Sequence, residues 1–475
     1  MTGDRGLLLG RIGRHVVRAP DHDHVLCTAP TKSGKTTCFV NPNLLSLGAA
    51  SAVVNDPDGE SYWVTRRARA SEGAVYLWAP FAERSHSYNP LDFIRAGTSF
   101  EVDDVQVLAD LLMEPERGSD PYWDREAKAL LVAVLIYVVR HRPVLLRTMA
   151  EVHHLLNLGE AAFKRLMEGM IFSGHSVCRK VANALASYSD GQRGGILGSL
   201  RAHISIWHSE NLQGVTGWSD FRFADLRKQT ATVYVVVPPE HAASFRPALR
   251  LIHGLALADC RRGATTHRRR VVFLLDEFAN LGRLEPVVKA IAIARKAGIQ
   301  LCLFIQNTAQ VASLYGEDWK TLAANCRTRV AFGINDYDDA KRLSDNLGVR
   351  TVRTRSHGSN AGLADVVPDR LNRNEGEASR PLMTPDELMA MDARHAIILQ
   401  QGVRPILADK LHYQDPMFAG LWDNWTGSPA SLIASLTDGD GSRPLALPAP
   451  GPARAPALSR VVVSPVCRPG DRSAG

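Results

Sequence analysis

Apolar residues in this chain follow two patterns, short unbroken runs and longer stretches with helical spacing. The short runs include Val25-Leu26-Cys27, Ala52-Val53-Val54, Ala74-Val75-Tyr76-Leu77-Trp78 and Val233-Tyr234-Val235-Val236-Val237, the last stopped by Pro238-Pro239. Further along come Val271-Val272-Phe273-Leu274-Leu275, Ile299-Gln300-Leu301-Cys302-Leu303-Phe304-Ile305 and Val330-Ala331-Phe332-Gly333-Ile334. Runs that do not alternate fit strands buried on both faces, and their interleaving with helical stretches predicts βαβ units around a mainly parallel sheet. The first strand is expected at Val25. Residues 101–214 differ: spacing such as Leu108-Ala109-Asp110-Leu111-Leu112 and Ala182-Asn183-Ala184-Leu185-Ala186 is helical throughout, with no convincing strand.

Two further stretches limit the organisation. The apolar run at residues 129–139 is bounded by Lys128 and Arg140 and is shorter than the roughly 20 residues of a membrane span, so it predicts a buried core helix. Residues 426–475 are dominated by Pro, Ala, Ser, Gly and Arg, which bury too little apolar surface to offset chain entropy, so a disordered tail is expected.

The chemistry begins directly after the first run. Ala29-Pro30-Thr31-Lys32-Ser33-Gly34-Lys35-Thr36, with Thr37 following, reads as a phosphate-binding P-loop between a strand and a helix. Backbone N–H groups wrap the phosphates, Lys35 supplies charge to the β- and γ-phosphates, and the Thr36 hydroxyl is a Mg²⁺ ligand. Ala29 departs from the pattern by placing a Cβ where glycine is usual. ATP and Mg²⁺ are therefore the expected ligands. A hydrolytic site also needs a carboxylate at the end of a neighbouring buried strand, and Asp276-Glu277 ends the run at Leu275. Asp276 is assigned to the magnesium shell and Glu277 to activation of water; the plainer reading has Asp276 capping a helix and Glu277 solvated. Gln306 ends the next run, where it can reach the γ-phosphate.

With these residues in place, the chain resembles the type IV secretion coupling proteins, the TraG/TraD-like conjugative DNA-transfer ATPases. The resemblance runs from about Gly10 to Phe418. It is carried by the P-loop, Asn55-Asp56-Pro57-Asp58-Gly59-Glu60, Tyr88-Asn89-Pro90-Leu91, Leu275-Asp276-Glu277-Phe278-Ala279-Asn280-Leu281-Gly282, Gln306-Asn307, Asn325-Cys326-Arg327-Thr328-Arg329, Phe332-Gly333-Ile334-Asn335-Asp336 and the block from Ser379 to Leu388. It implies an α/β, RecA-like P-loop NTPase in which residues 1–100 and 215–425 form the nucleotide-binding domain and residues 101–214 an inserted all-α domain. It also implies a homo-hexameric ring that feeds DNA, or relaxase-bound DNA, to a secretion channel. A ring motor delivers a positive charge across the subunit boundary; Arg327 and Arg329 are the candidates for that arginine finger, expected at the nucleotide edge of the sheet. Relatives usually begin with two transmembrane helices, whereas about two dozen interrupted polar residues precede Val25 here. The expectation is a cytoplasmic protein, peripheral at the inner membrane through its partners, the alternative being a start upstream of Met1.

Composition alters this picture little. The chain has 475 residues, 45% hydrophobic and 22% charged, as in a large globular protein. A net charge of +7 permits nucleic-acid contact without requiring it. Seven cysteines at scattered positions without a C-x-x-C pair argue against a zinc site and a disulfide framework. Arg261-Arg262-Gly263 with His267-Arg268-Arg269-Arg270, and a predicted loop holding Arg350, Arg353 and Arg355, are candidates for sequence-independent DNA phosphate contact, the plainer reading being solvated charge. Two other functions fit part of the sequence: a nucleotide-binding adaptor that docks relaxase or effector proteins without motor activity, and an FtsK-like chromosomal DNA pump.

Overall fold

The computed structural model describes residues 6–20, 22–113, 121–262, 269–358 and 372–424. The unbroken apolar runs become neighbouring strands of one sheet. Its strands are β1 (Leu8–Ile12), β2 (His15–Arg18), β3 (Val25–Thr28), β4 (Ser51–Asn55), β5 (Ala74–Trp78), β6 (Ala231–Val235), β7 (Val271–Leu275), β8 (Ile299–Ile305) and β9 (Thr328–Ala331). A separate ribbon is formed by β10 (Val349–Gly358) and β11 (Asn372–Pro381), and β12 (His395–Gln400) and β13 (Ile406–Asp409) return to the main sheet. The order is β2-β1-β13-β12-β9-β3-β8-β7-β4-β6-β5, eleven strands. From β9 to β5 all neighbours are parallel; β12, β13, β1 and β2 extend the sheet antiparallel.

Two strands therefore precede the one expected to be first. Leu8 and Leu9 are buried while Arg11 and Ile12 are exposed. This half-polar edge pair, interrupted by Gly10 and Arg11, lacks the unbroken run that marks a central strand.

The two-residue period of the strands sorts the core. Leu26, Val53, Phe273 and Leu303 face one side, and Cys27, Val54, Leu274, Cys302 and Phe304 the other. Each such side chain, fully buried, contributes about 1.5–3 kcal/mol. The second side packs on Phe39, Val40 and Leu44, from the turn of helix at Thr36–Val40 and from α1 (Asn41–Ser46), and on α2 (Glu60–Glu72). The first side is covered by a thick helical layer.

Among the described residues between β5 and β6 every regular element is helical, as expected: α3 (Glu101–Leu112), α4 (Pro121–His141), α5 (Met149–Leu156), α6 (Glu160–Ile171), α7 (Ser176–Ser187), α8 (Asp190–Ile204) and α9 (Glu210–Thr216), with short 3-10 turns between them. α4 holds the 129–139 run, and Leu130, Leu131, Val134, Leu135 and Ile136 are buried at its centre. No helix among the described residues is long and apolar enough to cross a membrane. α8 begins with a capping box in which Ser189 and Gln192 bond reciprocally. After β6 come α10 (Pro239–Ala242) and α11 (Arg246–Arg262); α12 (Glu285–Ala294), α13 (Thr308–Tyr315), α14 (Asp318–Asn325), α15 (Tyr337–Leu347) and α16 (Pro385–Met389) complete the chain.

The basic clusters change meaning. Arg350, Arg353 and Arg355 lie on β10 rather than in a loop, and the register sets Arg350 opposite Arg380, Arg353 opposite Glu377 and Arg355 opposite Glu375. In the other cluster Arg262 bonds to Asp104 and covers the Phe93 ring, Arg269 donates to the Ala49 carbonyl, and Arg270 donates to Gln300. These arginines serve the fold. Gly263, His267 and Arg268, like the 426–475 tail, lie outside the described residues.

Candidate nucleotide site

β3 ends in the P-loop. Ala29 is fully buried and donates its N–H to the Ile305 carbonyl at 2.9 Å, extending the β3–β8 pairing by one residue. Its φ is not positive, so the Cβ carries no backbone penalty. The left-handed positions of the loop are instead Lys32 (φ 60°) and Gly34 (φ 92°). Ser33 Oγ donates to the Pro30 carbonyl at 2.6 Å and closes the turn. Thr31 and Lys32 are exposed at the tip, Pro30, Ser33, Gly34, Thr36 and Thr37 are half-buried, and Lys35 is 6% exposed. Gly333, after β9, leaves room for the loop: a Cβ there would stand 2.9 Å from the Ser33 Cβ.

β7 runs parallel between β4 and β8 and delivers Asp276-Glu277 to the same edge. Lys35 Nζ is 2.9 Å from Glu277 Oε1 and 3.8 Å from Asp276 Oδ1. Thr36 Oγ1 is 3.3 Å from Asp276 Oδ2, and Gln306, just beyond β8, donates Nε2 to Glu277 Oε2 at 2.6 Å. The sequence-predicted P-loop, acid pair and glutamine thus meet in one constellation, and the reading of Glu277 as a solvated acid is excluded.

Burial pushes the Asp276 carboxyl above its usual range; Lys35 opposes this and Glu277 adds to it. Asp58 and Glu60 are raised as well, by burial first and then by neighbouring carboxylates. Acids crowd this edge, and the Thr36 hydroxyl and Asp276 carboxylate already face each other. Oxygen donors with surplus negative charge suit Mg²⁺.

Arg327 and Arg329 are a correction. β9 is parallel to β3 with Thr328 beside Val25 and Ala331 beside Thr28, so the P-loop edge lies at Ala331 and beyond. Arg327 precedes the strand and Arg329 is near its start, both toward the opposite edge; Arg327 is exposed, and half-buried Arg329 donates to the Ala323 carbonyl at 3.0 Å. Arg327 precedes the strand but Arg329 lies within it, and strand direction puts both away from their own subunit's P-loop.

Three residues in the site were given no role from the sequence. Lys410, just after β13, donates to the Ser33 carbonyl at 2.8 Å and lies over the Phe332 ring. Asn55, the last residue of β4, donates Nδ2 to the Asp276 carbonyl at 2.6 Å, and His253 of α11 lies with Nε2 3.1 Å from Asn55 Oδ1. Asn55 had a signal, the same one as Gln306: a polar side chain ending an apolar strand. Lys410 and His253 had none.

The sequence matches the family described as type IV secretory system conjugative DNA transfer over residues 3–426. It is 28% identical over 445 residues to the conjugal transfer protein TraG of Escherichia coli, covering 85% of this chain and 69% of that one. It is 26% identical to the protein VirD4 of Agrobacterium fabrum, covering 87% and 63%. The fold matches that of the plasmid coupling protein TrwB, solved with the non-hydrolysable ATP analogue ADPNP (17% identity, TM-score 0.66, 88% of this chain and 92% of that) and with ADP and Mg²⁺ (17%, 0.65, 86% and 94%). A RecA-like architecture carrying the family's sequence over most of its length makes this chain a member of the type IV secretion coupling proteins.

Proposed function

We propose that this coupling protein hydrolyses ATP and uses the energy to deliver conjugative DNA, or relaxase-bound DNA, to a type IV secretion channel, working as a homo-hexamer at the cytoplasmic face of the inner membrane. One observation carries the hydrolytic part: Lys35, Glu277 and Gln306 form an unbroken bonded row at the P-loop edge. The names of the TraG and VirD4 relatives support the cargo and the channel, and the nucleotides bound by TrwB support ATP and Mg²⁺.

The row defines what each residue does. The Lys35 ammonium on Glu277 Oε1 is the charge that a γ-phosphate competes for. Moving it to the phosphate frees the Glu277 carboxylate to accept a proton from the attacking water. Gln306 keeps hold of Oε2, so the freed oxygen stays aimed, and Gln306 registers loss of the γ-phosphate through the same bond. Thr36 and Asp276 would hold Mg²⁺, which supplies charge neutralisation at the β- and γ-phosphate oxygens. Arg327 or Arg329, remote from their own P-loop, would serve a neighbouring subunit.

The test is steady-state ATP hydrolysis with and without DNA for wild type, Lys35→Ala and Glu277→Gln. DNA-stimulated turnover is expected, abolished by both changes, with Glu277→Gln still binding nucleotide. A wild type without turnover under oligomer-forming conditions, or turnover indifferent to both changes, sinks the motor reading. Mixing Arg327→Ala or Arg329→Ala subunits with Lys35→Ala subunits tests the finger: activity reappears in the mixture only if the arginine acts across an interface.

A further inference from the structure

Glu277 sits in the left-handed region, φ 52°, without being glycine. A side chain there is strained and stays only where its surroundings over-determine it. Both polar atoms of the peptide joining Asp276 to Glu277 are held. The Glu277 N–H donates to Asp276 Oδ1 at 2.9 Å, and the Asp276 carbonyl accepts from Asn55 Nδ2 at 2.6 Å. The orientation of this peptide sets φ of Glu277, and so the direction in which its carboxylate leaves the backbone.

The Asn55 amide is held in its turn. With Nδ2 donating to the carbonyl, Oδ1 is an acceptor, and His253 Nε2 at 3.1 Å is its donor. A flipped amide would set Asn55 Oδ1 against the Asp276 carbonyl, two acceptors facing each other. Asn55 and His253 are both buried, 4% and 2% exposed, and their side-chain hydrogen bonds run to Asp276 and to each other rather than to the P-loop. α11, which carries His253, is fixed along neighbouring faces: Arg250, one turn earlier, donates to the Leu111 and Leu112 carbonyls at 2.6 and 2.9 Å, ending α3, and a Cβ on Gly254 would run into Leu111 Cδ2. A helix so pinned is a rigid platform for its imidazole.

We infer that Asn55 and His253 are positioning residues for Glu277, His253 acting through Asn55 to lock the Asp276–Glu277 peptide so that the Glu277 carboxylate is held against Lys35 and Gln306. The inference rests on Glu277 being the group that activates water, and adds residues from β4 and α11 that never touch the nucleotide.

Kinetics of the full chain separate this from a structural role. Asn55→Ala is expected to lower kcat by about 10- to 100-fold, the scale of a misplaced catalytic group, while the Kd for ADPNP with Mg²⁺ stays within about twofold. His253→Ala lowers kcat less, and the double variant is no slower than Asn55→Ala alone, because one residue acts through the other. His253→Gln, which keeps an N–H donor, restores at least half of the rate lost in His253→Ala. Asn55→Ala with kcat within twofold of wild type, or a double variant as slow as the product of the two single effects, overturns the assignment. If His253→Ala does not fold, Asn55→Ala and His253→Gln still decide. Hydrogen exchange at the Glu277 amide reads the lock without turnover: it should quicken at least tenfold in Asn55→Ala while P-loop amides are unchanged. Equal protection overturns the lock even in a chain that hydrolyses nothing, whereas quickened exchange in such a chain leaves the lock standing and removes only the motor reading.

Discussion

The two edges of the parallel sheet bury polar groups with different balances. Where the strands end, the acid pair is held side chain to side chain, Lys35 to Glu277, Gln306 to Glu277 and Thr36 to Asp276, although Asn55 and Lys410 bond to carbonyls there. Where they begin, main-chain partners predominate, beside side-chain bonds such as that of Arg69 to the Thr232 hydroxyl. Arg69 of α2 donates to the Gly48 and Ala50 carbonyls, Arg227 to that of Arg269, Ser51 to that of Leu226, and Gln300 to that of Asp23. His24 is clamped between the Ile291 carbonyl and the Leu301 N–H. A main-chain partner is fixed by the fold, so those bonds are permanent. A side-chain partner can be exchanged for a phosphate or a cation, which is what a working edge requires.

The comparison can be broken most sharply at Glu277. Glu277→Gln should cut kcat for ATP by about 10²–10⁴-fold with little change in the unfolding midpoint, because it removes a proton acceptor and no packing. At the opposite edge Arg69→Ala should show the reverse. It leaves two carbonyls and the Thr232 hydroxyl without a donor and should cost about 3 kcal/mol or more in denaturant unfolding, while any chain still folded keeps its nucleotide affinity. Finding either residue with the other's signature would erase the distinction.

Acid probes the main-chain edge next. Burial lowers His24 to about 4, and its Nδ1 is already committed as an acceptor, which protonation would destroy. Behind the other edge, where its partner is the Asn55 side chain, burial likewise lowers His253 to about 3. A depressed histidine is neutral in the folded chain at a pH where the unfolded chain binds a proton. Its stabilisation is complete above the unfolded value near 6.5 and is lost as pH falls from there toward the folded value. Between pH 7 and 5 each should remove about 2 kcal/mol of stability, and His253→Gln should reduce that slope. The smallest effect is expected at Lys410. Lys410→Ala deletes one charge-assisted bond to the P-loop backbone and should weaken nucleotide binding by about tenfold or less, at unchanged kcat.

The P-loop, the acid pair and Gln306 were legible because each follows an unbroken apolar run, and such runs mark central strands whose ends meet at one edge. Asn55 obeys the same rule, ending the apolar strand β4 at the same edge. β1 and β2 were hidden by the polar outer face of an edge pair. The arginines of β10 read as loop because Thr, Ser and His dilute the apolar signal, and only the register reveals Glu377 opposite Arg353, Glu375 opposite Arg355 and Arg380 opposite Arg350. Arg327 and Arg329 show a different limit: a strand can be found in a sequence, but the edge its ends occupy depends on the direction of its neighbours.

By itself, then, the sequence determined the class of sheet, the helical layer and the residues gathered at the P-loop edge, because burial on both faces and the turn chemistry of the loop are local requirements. Tertiary structure alone decided which partners those residues have. Lys410 comes to Ser33 from 377 positions away and His253 to Asn55 from 198, distances over which no periodicity survives. Contacts of that kind are fixed by sheet order and helix packing, and these set how Glu277 is aimed.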